Sequence, residues 1–215
     1  MTATSTRPAL TPPARPRDIV LLVCLAGLSG AALLARAWWG VPMSWTAGFA
    51  VLPGTVAIVV VVFASRGQRA RAHIVSDRVI AGAKWGLVAT LVYDVVRPVL
   101  VWALHLHFNP FRAQAIFGHL ITGRPRTSGL AIGVGWLYHF WNGVSFGVML
   151  ALIRPRGAWA VGLVWAMALQ GLMMAIYPNL LQVRLDNPGF LVTTIVGHGV
   201  YGVVLGSSLK HWGPR

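Results

Sequence analysis

The sequence predicts an all-α, polytopic membrane bundle of about six transmembrane helices. Three observations carry that expectation. Of the 215 residues 56% are hydrophobic and only 10% are charged, against roughly 25% charged in a soluble domain, so there is too little charge to clothe a water-facing surface. The mean hydropathy is +0.68. The apolar residues fall into six runs, each near the ~20 residues that a helix needs to cross a ~30 Å hydrocarbon core. Lipid offers no partner to backbone polar groups, so such spans are expected as helices.

Residues 1–17 (MTATSTRPALTPPARPR) are rich in Pro, Thr and Arg and read as a disordered cytoplasmic tail. Residues 18–212 then form one six-helix membrane domain. Its spans are placed at Ile19–Ala37, Trp45–Ala64, Ala83–Leu104, Leu130–Ile153, Trp159–Tyr177 and Phe190–Leu209. The first run ends in Ala35-Arg36-Ala37, which resembles a signal-peptide cleavage site. The long segment before it favours a retained span instead.

Between the third and fourth spans, HFNPFRAQAIFGHLITG predicts an interfacial helix within 108–123 on the outer side. Asn109 is expected to cap it, Pro110 to take the first helical position and Gly123 to end it. Phe111, Ile116, Phe117, Leu120 and Ile121 leave Arg112, Gln114 and His119 largely on the other face. Folded over the bundle, this helix would be a lid.

The net charge of +14 arises because carboxylates are nearly absent: Asp18, Asp77, Asp94 and Asp186 are the only acidic side chains. With the N-terminus inside, 12 of the 18 Lys and Arg residues fall on the inner side and 5 on the outer, with Arg97 inside a helix. That bias predicts a multi-pass cell-membrane protein with both termini cytoplasmic, its partners being the bilayer and anionic lipids at the cytoplasmic face. Homo- or hetero-oligomers stay open, and no nucleic-acid partner is expected. The single cysteine, Cys24, excludes an intrachain disulfide and reads as a small buried hydrophobe.

The second half contains a repeat. His139-Phe-Trp-Asn142-Gly143-Val-Ser-Phe-Gly147 and His198-Gly-Val-Tyr201-Gly202-Val-Val-Leu-Gly206 both read H-x-x-[N/Y]-G-x-x-x-G. Gly86-Leu87-Val88 and Gly162-Leu163-Val164 echo each other too, followed at one offset by Asp94 and Gln170. Spans three-four and five-six therefore read as a tandem repeat with its pseudo-axis along the membrane normal, an arrangement common in transporters. The glycines also let helix backbones approach closely.

Charge inside hydrocarbon costs some 2.5 kcal/mol or more per residue, so each buried polar group needs a reason. Asp94 and Arg97 are one turn apart on a single face. Pro98 withdraws the donor for the Asp94 carbonyl, and His105 follows on the same face. Asp94, His139 and His198 lie at a common depth, roughly 14 Å from the outer helix ends. Asn142, Gln170 and Tyr201 stand within about a turn of that layer. Asp94, Arg97, His139, Asn142, Gln170, His198 and Tyr201 are thus the candidate substrate- or proton-binding residues.

Three functions follow from that set. In a small permease-like or proton-linked solute-handling protein, Arg97 attracts an anionic or polar group while Asp94 and the histidines handle protons. In a membrane-bound redox enzyme or subunit, His139, His198 and Asp94 hold a divalent metal, or the two histidines hold a haem. In an accessory subunit the same groups only hold helices together. Gly143-Val144-Ser145-Phe146-Gly147 with His198 also resembles the helix serine and helix histidine of rhomboid proteases. That family places Gly directly after the serine, where this chain has Phe146. No GxxxxGK[ST] loop, strand-borne GxGxxG or CxxC occurs, so the residues alone do not decide whether the chain is an enzyme.

Overall fold

The computed structural model describes residues 15–65, 70–180 and 183–211. Most of the tail expected at 1–17 lies outside them, as does Trp212, the last residue of the expected membrane domain. Pro16, in the first helical turn, opens α1 (Pro16–Trp39) after an extended Arg15, because its fixed φ suits a helix start and its missing N–H costs nothing there. Gly40 closes the helix in the left-handed region at φ 68°.

The other spans are α2 (Met43–Ser65), α3 (Ala70–Ala103), α5 (Gly129–Ile153), α6 (Trp159–Leu180) and α7 (Pro188–Lys210). The short α4 (Arg112–Thr122) precedes α5. Six of these helices are long and apolar enough to cross a membrane, and no strand occurs among the described residues. In α2 the ladder widens to a π turn over Ala47–Val51, just ahead of Pro53, which donates no hydrogen bond to the Phe49 carbonyl.

Side-chain burial is that of a lipid-solvated bundle. Phe49, Trp102, Leu137 and Val164 are 70–82% exposed, whereas Ala89, Ala166, Ser29 and Thr193 are fully buried. An apolar girdle on this scale far exceeds the patches tolerated on soluble monomers. Cys24 is exposed on α1 rather than buried; facing outward, it finds its apolar surroundings in lipid instead of protein.

Helix α5 packs between α1 and α3, α3 packs on α7, α7 packs on α6, and α6 touches α1, which closes a ring. Glycines set the two closest crossings. A Cβ added to Gly86 would lie 2.7 Å from the Gly143 carbonyl oxygen, and one on Gly162 would lie 2.0 Å from that of Gly202. The echo continues: a Cβ on Gly147 would meet the Gly82 carbonyl at 2.4 Å, and one on Gly206 the Ala158 carbonyl at 2.3 Å. Hairpins α3–α5 and α6–α7 therefore pack through corresponding residues of the repeat.

Helix α4 differs from its sequence reading in two ways. Asn109 Oδ1 accepts a hydrogen bond from the Phe111 amide at 2.9 Å, so Asn109 builds a turn, Pro110 stays outside and the helix starts at Arg112. Its apolar face packs against α5 and not against lipid, with Ile116, Phe117 and Gly118 buried. A Cβ on Gly118 would fall 1.6 Å from the Ala131 carbonyl oxygen, so the helix is seated backbone to backbone. Gly123 ends it at φ 68°, as its type suggests.

Candidate functional site

Asp94, Arg97 and His139 form one connected group. Nη2 of Arg97 donates to Oδ1 of Asp94 at 2.5 Å, the contact that i, i+3 spacing permits on α3. His139, from α5, donates its Nε2–H to the same carboxylate, 2.9 Å from Oδ2 and 3.0 Å from Oδ1. An ionised carboxylate only accepts, which fixes that proton on Nε2. Asp94 and Arg97 are 9% and 4% exposed, so the two charges neutralise each other where neither reaches solvent freely.

The guanidinium is held from three further sides. Nη1 donates to the Pro110 carbonyl in the loop before α4. With its side-chain amide oriented to satisfy both ends, Gln114 accepts from Nη2 at 3.3 Å and donates to the Phe111 carbonyl at 2.8 Å. Aromatic faces complete the cage: the guanidinium carbon lies 4.1 Å from the Tyr93 ring centre and 5.3 Å from that of Phe111. Such stacking suits the planar, weakly hydrated arginine head.

His198 also packs against Tyr93. The Tyr93 ring is 5.9 Å from the His139 ring and 5.1 Å from the His198 ring, centre to centre. Nδ1 of His198 donates to the Thr194 carbonyl at 2.8 Å, leaving Nε2 as the acceptor nitrogen of the neutral ring. Gln170 Nε2 donates to the Thr194 hydroxyl at 3.1 Å. Thus the first hairpin carries the carboxylate–imidazole pair Asp94–His139, and at corresponding positions the second carries Gln170 and His198, joined through Thr194. Tyr201 reaches across the hairpins, its hydroxyl donating to the Gly143 carbonyl at 2.7 Å.

Both histidines, with Tyr93, Asn142 and Tyr201, line a central cavity of about 50 Å³ inside the helix ring. One water needs about 10–15 Å³ on this measure, so the space takes a few waters or a solute of a few heavy atoms. Nearer α4 lies a second cavity of about 30 Å³, bordered by Arg97, Arg112 and Gln114. Tyr93, Phe117 and His139 line both. Phe108, Arg112 and Val183 in turn border both the second cavity and a surface cleft of about 300 Å³ that includes Arg184. The three spaces form a series from the α4 surface to the centre of the bundle.

The metal and haem expectations find no matching geometry. Among the described residues no three side chains of His, Cys, Asp or Glu stand together as a metal-ion group. Asp94 spends its oxygens on Arg97 and His139, and His198 bonds the Thr194 carbonyl through Nδ1, so His139, His198 and Asp94 do not form one ligand set. A porphyrin does not fit the central cavity. Ser145 is buried and its hydroxyl has no hydrogen-bond partner, so it is not activated by either histidine. His105 lies beyond the end of α3, in the left-handed region at φ 50°. There the Leu106 amide bonds the Val101 carbonyl and the His105 amide that of Trp102, the pattern of a Schellman cap.

Sequence reasoning overlooked Tyr93, Pro110, Gln114 and Thr194. Two of them left a signal. Tyr93 and Arg97 are four apart, the spacing that stacks an arginine on a ring. Gln114 stands three and four residues before Phe117 and Gly118, hence on their face and not the polar one.

A family model described as a family of unknown function, DUF6789, matches residues 76–215. The match covers more than half the chain, including the stretch from Asp94 to Tyr201, and the chain belongs to this family. No curated protein matches the chain, and no solved structure does.

Proposed function

We propose that this member of the family handles a small polar or anionic solute in a proton-linked, permease-like manner. The observation that carries the reading is the position of His139. It is bonded to the Asp94 carboxylate and borders both the central cavity and the one beneath α4.

The proposed carrier is Nδ1 of His139, the ring nitrogen not bonded to Asp94; a proton taken up there would leave the Asp94–Arg97–His139 group with one net positive charge, suited to an accompanying anion. Loss of the same proton returns the neutral ring. Arg112 and Arg97 along the series of cavities favour an anion or the negative end of a dipole. The cavity volume limits the solute to a few heavy atoms. Gln170 and His198 offer neutral hydrogen-bonding groups at the matching level of the other hairpin, so the solute would meet charge on one side only.

The test is proton flux in liposomes reconstituted with the purified chain and loaded with a pH-sensitive dye. Gradients of nitrate, chloride, phosphate, succinate and ammonium are applied in turn. At least one should give a protein-dependent pH change, lost in His139→Gln, whose amide still donates to Asp94 but carries no exchangeable charge. Wild-type protein that matches empty liposomes for every solute, while circular dichroism reports it folded, refutes the reading. If flux survives in His139→Gln and only thermal stability falls, His139 serves packing and the proton-carrying role assigned to it is refuted.

A further inference from the structure

The opposite end of the bundle, which the charge count predicts as cytoplasmic, carries a second polar feature that the solute reading does not use. Arg78, Arg154 and Arg156 line one cleft of about 320 Å³ together with Ile153 and Pro155. Helix α5 ends at Ile153, and the membrane-spanning part of α3 begins at Ile74. The cleft therefore sits where hydrocarbon gives way to headgroups, and Arg78 lies one turn inside that boundary.

Among the described residues three arginines and no carboxylate line this space. Among the described residues none of the three is in an ion pair, although Asp77 is adjacent in sequence. Nε of Arg78 is buried without a hydrogen-bond partner. Arg78 is half-buried while Arg154 and Arg156 are exposed; like charges gathered together repel one another, and an orphaned buried donor is costly. A bound anion relieves both. Guanidinium forks match phosphate oxygens in pairs, whereas a point-like anion such as chloride would satisfy fewer of the donors. Ile153 supplies an apolar wall, 48% exposed, on the side where acyl chains begin.

We propose that this cleft binds the phosphate of one anionic phospholipid headgroup, with Arg78, Arg154 and Arg156 as its donors and Ile153 against the start of a chain. This assigns a discrete, stoichiometric site, distinct from the diffuse attraction of basic loops to an acidic leaflet.

Native mass spectrometry of the full chain, released from detergent, tests it with three separate probes: phosphatidylglycerol, phosphatidylcholine and inorganic phosphate. One phosphatidylglycerol should be retained per chain, with phosphatidylcholine about tenfold weaker or more. Arg78→Gln and Arg154→Gln should each weaken phosphatidylglycerol about fivefold, the factor for ~1 kcal/mol per basic residue near a membrane surface. Arg78→Lys keeps the charge but not the fork and should fall between, which separates recognition from misfolding. The pair Arg124→Gln and Arg126→Gln, exposed near the other end, should leave retention unchanged. Equal binding of both lipids, or retention insensitive to Arg78→Gln and Arg154→Gln, overturns the proposal. An adduct formed with inorganic phosphate and not with the lipid overturns the headgroup assignment.

Discussion

Asp94→Asn isolates one quantity, the charge that compensates Arg97. The amide keeps the volume and an oxygen that accepts from Nη2, so hydrogen bonding and packing change little. Arginine does not lose its proton in proteins, and at 4% exposure the guanidinium is largely shielded from water. What remains around it is the Pro110 carbonyl, the Gln114 amide and two aromatic faces, all neutral. Removing one partner of a buried ion pair costs about 3–5 kcal/mol. For a domain of this size that is a fall in Tm of roughly 6–20 °C, read by circular dichroism and by fluorescence-detected gel filtration after heating. Adding Arg97→Met removes the stranded charge and should restore more than half the loss, because replacing a buried pair by apolar groups of similar volume is often close to neutral. Asp94→Asn melting within about 2 °C of wild type, or a double variant no better than the single one, would refute the idea that the aspartate serves to balance the arginine.

Other outcomes follow from close contacts and exposure. Gly162→Ala puts a Cβ 2.0 Å from the Gly202 carbonyl oxygen and should cost about 1–3 kcal/mol as the helices separate. Gly171→Ala, with open space around it inside a helix, should leave stability unchanged or raise it by up to about 1 kcal/mol. Arg97→Met on the Asp94→Asn background removes the donor to the Pro110 carbonyl, so amide exchange around Phe111 and Arg112 should quicken roughly tenfold or more; unchanged exchange would mean that the loop is held elsewhere. Cys24 faces lipid, so a water-soluble maleimide should leave it unlabelled in intact membranes and modify it after solubilisation in a short-chain detergent.

Much of the fold was legible because hydrocarbon imposes a simple length and composition on every span. The errors occur where polarity and helicity part company. Helix α3 was placed from Ala83, yet it begins at Ala70. The residues between are polar enough to look like a loop, but no proline interrupts them, and the helix runs on into the headgroup region. The Asp94–Arg97 contact could be read from i, i+3 spacing, and the level of His139 from counting along its span. Neither count gives rotation about a helix axis. Sequence could therefore not tell that His139 meets the carboxylate while His198 bonds the Thr194 carbonyl. The Arg97–Pro110 contact joins a helix to a loop backbone, which presents no side-chain pattern to find. Gln114 is different: its spacing to Phe117 and Gly118 was present and was outweighed by its polarity.

One bond described above ties chemistry to access. Arg97 holds Asp94 with one amino group and the strand of chain entering α4 with the other, so the guanidinium works as a latch between the centre of the bundle and its cover. On the proposed solute reading, an anion that draws the arginine toward itself would loosen both grips at once, so that occupancy of the interior and release of the rim would be coupled through one planar group.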